Sequence, residues 1–105
     1  MIDGNLEKRM EIERVYEMLD EFSKIVGAKK ISHPHIVKSM PHAPGVTGFV
    51  VNENSHITVH TFETEMKVLI DILNCDKINS TEIFKYLENF GFVKILHTHF
   101  ITREV

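Results

Sequence analysis

Ser55-His56-Ile57-Thr58-Val59-His60-Thr61-Phe62 is the stretch from which the fold of this chain can be read. Side chains of a β-strand point alternately to its two faces. Ile57, Val59 and Thr61 therefore share one face, while His56, Thr58, His60 and Phe62 share the other. An apolar, β-branched face opposite a face with two imidazoles is the pattern of a half-exposed antiparallel strand. Apolar runs flank it, Gly48-Phe49-Val50-Val51 before and Val68-Leu69-Ile70 after. Asn52-Glu53-Asn54 and Glu63-Thr64-Glu65 supply tight turns between them. Strands are thus expected over residues 46–53, 56–63 and 66–74, with a strained peptide in the turn before Ser55.

Working outward, residues 5–26 carry Ile12, Val15, Leu19, Phe22 and Val26 at alternating three- and four-residue spacing. That is the apolar stripe of an amphipathic helix, with Asn5 or Asp3 as cap and Gly27 at its end. Within 28–40, Pro34 argues for an edge strand or a bulge, and Pro41-His42-Ala43-Pro44-Gly45 reads as a loop. Residues 79–90 form a second helix. Asn79 and Glu82 resemble a capping box, Ile83, Phe84 and Leu87 give the stripe, and Gly91 ends it. Phe92 to Arg103 alternates as a last strand. Asp71 inside an apolar strand reads as a paired or hydrogen-bonded acid. The order α-β-β-β-β-α-β gives the fold class α+β: a two-layer α/β sandwich, mainly antiparallel, with two helices on one face.

At 105 residues the chain makes a single domain, residues 1–105. A hydrophobic content of 43% beside 26% charged residues is ordinary for a globular protein. A net charge of −3 gives no electrostatic case for nucleic acid. One cysteine excludes an intramolecular disulfide framework. No signal peptide and no membrane-spanning run is apparent, so a cytoplasmic protein with no membrane partner is expected.

Ser55, the histidines of its strand and Cys75 are the residues with chemistry to offer. A serine hydroxyl is a weak nucleophile and needs a base within hydrogen-bond reach. A lone thiol with histidine elsewhere is a candidate pair, although a lone cysteine is more often a small buried hydrophobe. His33 with His35, and His97 with His99, each fall on one face of a strand. Two such strands side by side would make a zinc site. Scattered strand and turn histidines are the simpler account, and no metal is assigned.

Residues 45–75 then point to a family. Gly45-Val46-Thr47-Gly48, Ser55-His56-Ile57-Thr58-Val59-His60-Thr61 and Ile70-Asp71-Ile72-Leu73-Asn74-Cys75 resemble, without a gap, the small prokaryotic S-adenosylmethionine decarboxylases. The matching family motifs are a Gly-Val-Ser-Gly strand, a Ser-His-x-x-x-His-Thr core and a cysteine twenty residues beyond that serine. The resemblance implies a self-processing enzyme. Ser55 attacks the carbonyl before it, elimination leaves dehydroalanine, and hydrolysis gives a pyruvoyl group on the new chain end. The scissile bond is Asn54–Ser55. His60 and Thr47 match the residues that assist processing, and Cys75 matches the proton donor of decarboxylation.

The implied cofactor is thus a pyruvoyl group derived from Ser55. Such a carbonyl forms a Schiff base with a substrate amine and accepts the electrons released with carbon dioxide, as pyridoxal does elsewhere. The product would be the aminopropyl donor for polyamine biosynthesis. The resemblance also implies a homodimer with its sites near the interface. Four departures stand out. Asn54 replaces the family's Glu, and Thr64 replaces the Glu that holds the substrate ribose. The aromatic position that stacks on adenine falls near Pro41 or His42, where His42 alone offers a ring. The family's opening strand is read as missing. Two alternatives follow: the same chemistry on another amine, such as arginine or ornithine, or an uncut, non-catalytic homologue that binds or regulates.

Overall fold

The meander around Ser55 forms the middle of a sheet whose neighbours are all antiparallel. A computed structural model describes residues 1–27, 33–38, 44–74, 79–90 and 93–98. In chain order the elements are β1 (Ile2–Leu6), α1 (Ile12–Ile25), β2 (His35–Lys38), β3 (Val46–Val51), β4 (Ser55–Phe62), β5 (Lys67–Asn74), α2 (Ser80–Phe90) and β6 (Val93–Thr98). The strands lie in the order β2-β3-β4-β5-β1-β6. Both helices pack on one face, so the expected α+β sandwich is present.

The start of the chain corrects the sequence reading. The opening strand read as missing is present, and the first helix begins at Ile12 rather than at residue 5. β1 is short and contains Gly4, Asp3 and Asn5, residue types depleted in strands. It forms because β5 and β6 hydrogen-bond to its two edges, with Ile2, Gly4 and Leu6 turned to the core. Asp3 and Asn5 therefore cap nothing. Glu11 stands at the N-cap of α1 without a side-chain capping bond. At the other end Gly27 adopts φ +73° and its N–H bonds the Lys24 carbonyl, as its C′ assignment requires.

The helical stripe buries Val15, Met18, Leu19 and Phe22 against the sheet, with Ile12 and Val26 partly buried at its ends. α1 approaches β3 closely over Gly48. A Cβ there would lie 2.8 Å from Val15 Cγ1 and 2.9 Å from Leu19 Cδ1. Asn79 caps α2 by accepting the Glu82 N–H at 3.3 Å, and Ile83, Leu87 and Phe90 enter the core. The Phe22 and Tyr86 rings meet edge to face with centroids 5.5 Å apart, joining the helices. β2, which follows Pro34, is an edge strand as expected.

Among the described residues nothing covers the opposite face of the sheet. Val37, Phe49, Val51, Phe62 and Leu73 stand exposed there, Val37 at 58%. Asp71, expected to be a paired acid, is instead exposed on this face opposite Thr58. No described helix is long and apolar enough to cross a membrane.

Candidate active site

Ser55 is the first residue of β4. The Asn52 N–H donates to the Ser55 carbonyl at 2.8 Å, leaving Glu53 and Asn54 as a two-residue turn. That turn contains no cis peptide bond and no residue with positive φ. Met66 (φ 51°) is the sole non-glycine residue with positive φ among the described residues.

The alternation of β4 turns the Ser55 side chain to the helix side, with Ile57, Val59 and Thr61. Ser55 is 8% exposed, and its hydroxyl accepts a hydrogen bond from Asn52 Nδ2 at 3.0 Å. Asn52 Nδ2 also donates to Ser23 Oγ at 3.3 Å, and Ser23 Oγ donates to the Leu19 carbonyl at 2.9 Å. A polar chain thus runs from α1 to Ser55. Directly across the ladder from Ser55 stands Asn74. Asn52 Oδ1 and both head atoms of Asn74 are buried without a hydrogen-bond partner among the described residues.

Thr47 and His60 lie on the open face. They are cross-strand partners, and Thr47 Oγ1 is 3.0 Å from His60 Nδ1. Which atom donates depends on the imidazole tautomer. The structure brings this pair together, and it does not bring His60 to the Ser55 hydroxyl of the same chain. They lie five positions apart on the strand, roughly 17 Å, and their side chains leave opposite faces.

The remaining expected positions are dispersed. Asn54 is partly buried at the turn. On its open-face side lies a concavity of ≈ 420 Å³ lined by Phe49, Val51, Asn54, Ser55, His56 and Leu73, among others. Thr64 is exposed in the β4–β5 turn, and its neighbour Glu63 pairs with Arg9 at 3.1 Å. Cys75, His42 and His99 lie outside the described residues. His35 stacks on Phe49 with centroids 5.1 Å apart. Among the described residues no group of three or more His, Cys, Asp and Glu side chains is placed to hold a metal.

A family model described as S-adenosylmethionine decarboxylase matches residues 2–104. The chain belongs to the S-adenosylmethionine decarboxylase family. An S-adenosylmethionine decarboxylase proenzyme of Clostridium botulinum (strain Langeland) is 30% identical over 93 residues, 87% of this chain and 78% of the relative. One from Persephonella marina is 35% identical over 77 residues, 73% of this chain and 54% of the relative. The match to the S-adenosylmethionine decarboxylase model starts at residue 2 and so takes in β1, the strand read as missing.

Sequence reading passed over Asn52, Asn74 and Ser23. One signal was available. The core-facing series Val46, Gly48 and Val50 continues by alternation to Asn52, placing an amide where an apolar side chain belongs.

Proposed function

We propose that this chain is a pyruvoyl-dependent S-adenosylmethionine decarboxylase that cuts itself between Asn54 and Ser55. The observation that carries this reading is the Thr47–His60 contact. These residues lie thirteen apart, resemble the family's processing pair, and meet at 3.0 Å. Ser55 suits the role of pyruvoyl precursor: it is buried, opens a central strand and follows a two-residue turn.

The Ser55 hydroxyl oxygen attacks the Asn54 carbonyl carbon, the C–N bond breaks, and the hydroxyl proton ends on the freed nitrogen, leaving an ester. Removal of the Ser55 α-proton expels the Asn54 carboxylate and leaves dehydroalanine. Water then replaces the nitrogen, which departs as ammonia. A pyruvoyl carbonyl supplies an electron sink for the pair released with carbon dioxide. Thr47 and His60 move protons during processing, and Cys75 returns one to the decarboxylated carbon. A cytosolic site of action goes with this reading.

The working unit is a homodimer. His60 lies far from the Ser55 hydroxyl of its own chain, and the sheet face that bears it exposes Val37, Phe49, Val51, Phe62 and Leu73 with nothing covering them among the described residues. A second copy stacked there would set its sheet about 10 Å away. The Thr47–His60 pair of one protomer would then face the Asn54–Ser55 peptide of its partner across the concavity at Asn54.

Intact mass under denaturing conditions tests the reading. Pieces of 54 and 51 residues are expected, the second blocked by pyruvoyl. A single uncut chain after prolonged incubation would sink it and favour a non-catalytic homologue. One observation supports a second reading, the same chemistry on another amine. Thr64 cannot accept ribose hydroxyls as a carboxylate does, and Glu63 is engaged by Arg9. Cyanoborohydride trapping with adenosylmethionine, arginine or ornithine, followed by mass analysis, separates the two.

A further inference from the structure

We infer that Asn52 is a positioning residue for self-cleavage: anchored to α1 through Ser23, it holds the Ser55 hydroxyl in the rotamer that attacks the Asn54 carbonyl. The inference rests on the self-cleavage reading above and assigns a role to a residue outside the serine, histidine and threonine already named.

Asn52 is 2% exposed and sits on the core face that Val46 and Val50 otherwise make apolar. A buried amide with an unpaired oxygen is destabilising, and a leucine would fill such a place without that penalty. The same holds for Asn74, whose amide is wholly unpaired among the described residues. Asn52 hydrogen-bonds this one serine, and Asn74 stands directly across the ladder from it. Unsatisfied polar groups gathered at one point of an otherwise apolar layer call for a local explanation.

The chemistry supplies one. A serine hydroxyl has three staggered positions, and a fixed donor on its oxygen selects one of them. Asn52 is such a donor. Its Nδ2 is tied to Ser23 Oγ as well as to Ser55 Oγ, and Ser23 is tied in turn to the backbone of α1. An amide is no base at neutral pH, so Asn52 takes no proton and acts by geometry alone. Among the described residues the Ser55 O–H has no acceptor, so the proton stays available for transfer as the ester forms.

The test compares Asn52→Leu with the parent chain by time-resolved intact mass. Self-cleavage is expected to slow roughly ten- to a hundredfold, the penalty of a misplaced reacting group. Because the attack itself is slowed, hydroxylamine should release less chain at Asn54 from the variant than from the parent. Thermal stability, read in a Ser55→Ala background where neither chain can cut, should be unchanged or higher. Ser23→Ala, which removes only the anchor, should slow cleavage less. A folded Asn52→Leu chain that cuts at the parental rate overturns the role. Slowing that merely follows lost thermal stability across the variants overturns it too. A parent chain that never cuts removes the self-cleavage reading and this inference together.

Discussion

Ser55 and His60 share strand β4 and face opposite sides of the sheet, the serine toward α1 and the histidine toward the open face. Within one chain, the serine proposed as nucleophile and the histidine proposed to assist it are about five residues of strand apart, roughly 17 Å. Processing would therefore be a property of two chains rather than of one.

Mixing variants tests that division. Ser55→Ala keeps His60 but has nothing to cut, and His60→Ala keeps Ser55 without its helper. Each alone should stay whole or cut slowly, with His60→Ala slowed about 10²- to 10⁴-fold, the usual range for a proton-transfer group. After mixing and subunit exchange, cleavage of the His60→Ala chain should recover. No recovery in mixed dimers would mean that His60 acts within its own chain.

Thr47→Val should also slow cleavage, because the hydroxyl that meets His60 Nδ1 is gone while the side-chain volume is nearly kept. Parental cleavage in this variant would remove Thr47 from the processing pair.

Cys75→Ala should still yield the 54- and 51-residue pieces while losing decarboxylation. Carbon dioxide release at the parental rate would reveal a different proton donor.

Gly48→Ala should destabilise the fold. The added Cβ would sit under 3 Å from both Val15 Cγ1 and Leu19 Cδ1, so those side chains or α1 itself must shift. Overpacking of this sort costs about 1–3 kcal/mol. For a domain near this size that is a fall of roughly 4–8 °C in Tm per kcal/mol, measurable by thermal melting. An unchanged Tm would show that the helix shifts freely.

Tyr86→Phe should be neutral to stabilising, by up to about 1 kcal/mol, since the hydroxyl is buried without a partner among the described residues. Burial pushes the Tyr86 hydroxyl up from 10.0 to about 12, with Glu17 and Glu21 adding to the rise. The unfolded chain therefore releases this proton first. The stability linked to it is intact below pH 10 and is lost as pH climbs toward 12. Denaturant titrations over that window should show a decline in the parent that the variant lacks. Parallel declines would assign it to other groups.

Much of the architecture was legible because hydrophobic period tracks burial directly. The alternation of β4 and the stripe Val15, Leu19 and Phe22 both fall where their spacing puts them. β1 escaped because Asp3, Gly4 and Asn5 are poor strand formers, and its stability comes from two partner strands more than sixty residues away. Local sequence carries no trace of such pairing. For the site, the family resemblance pointed to Ser55, Thr47 and His60, yet the side of the sheet each faces follows from strand register. Asn52 was hidden by its company. Between Val51 and Glu53-Asn54 it reads as part of a turn, whereas it is buried and continues the core-facing series one residue past the end of β3.

The position of β1 also bears on what happens after a cut at Asn54–Ser55. The first piece would hold β1, α1, β2 and β3, and the second β4, β5, α2 and β6. In the sheet these do not lie side by side as two halves. β1 of the first piece is wedged between β5 and β6 of the second, while β3 stays zipped along β4. The pieces are interlocked, and separating them means tearing three ladders at once. The nicked protein would travel as one body, and the second piece expressed alone would have a strand-wide gap through its sheet.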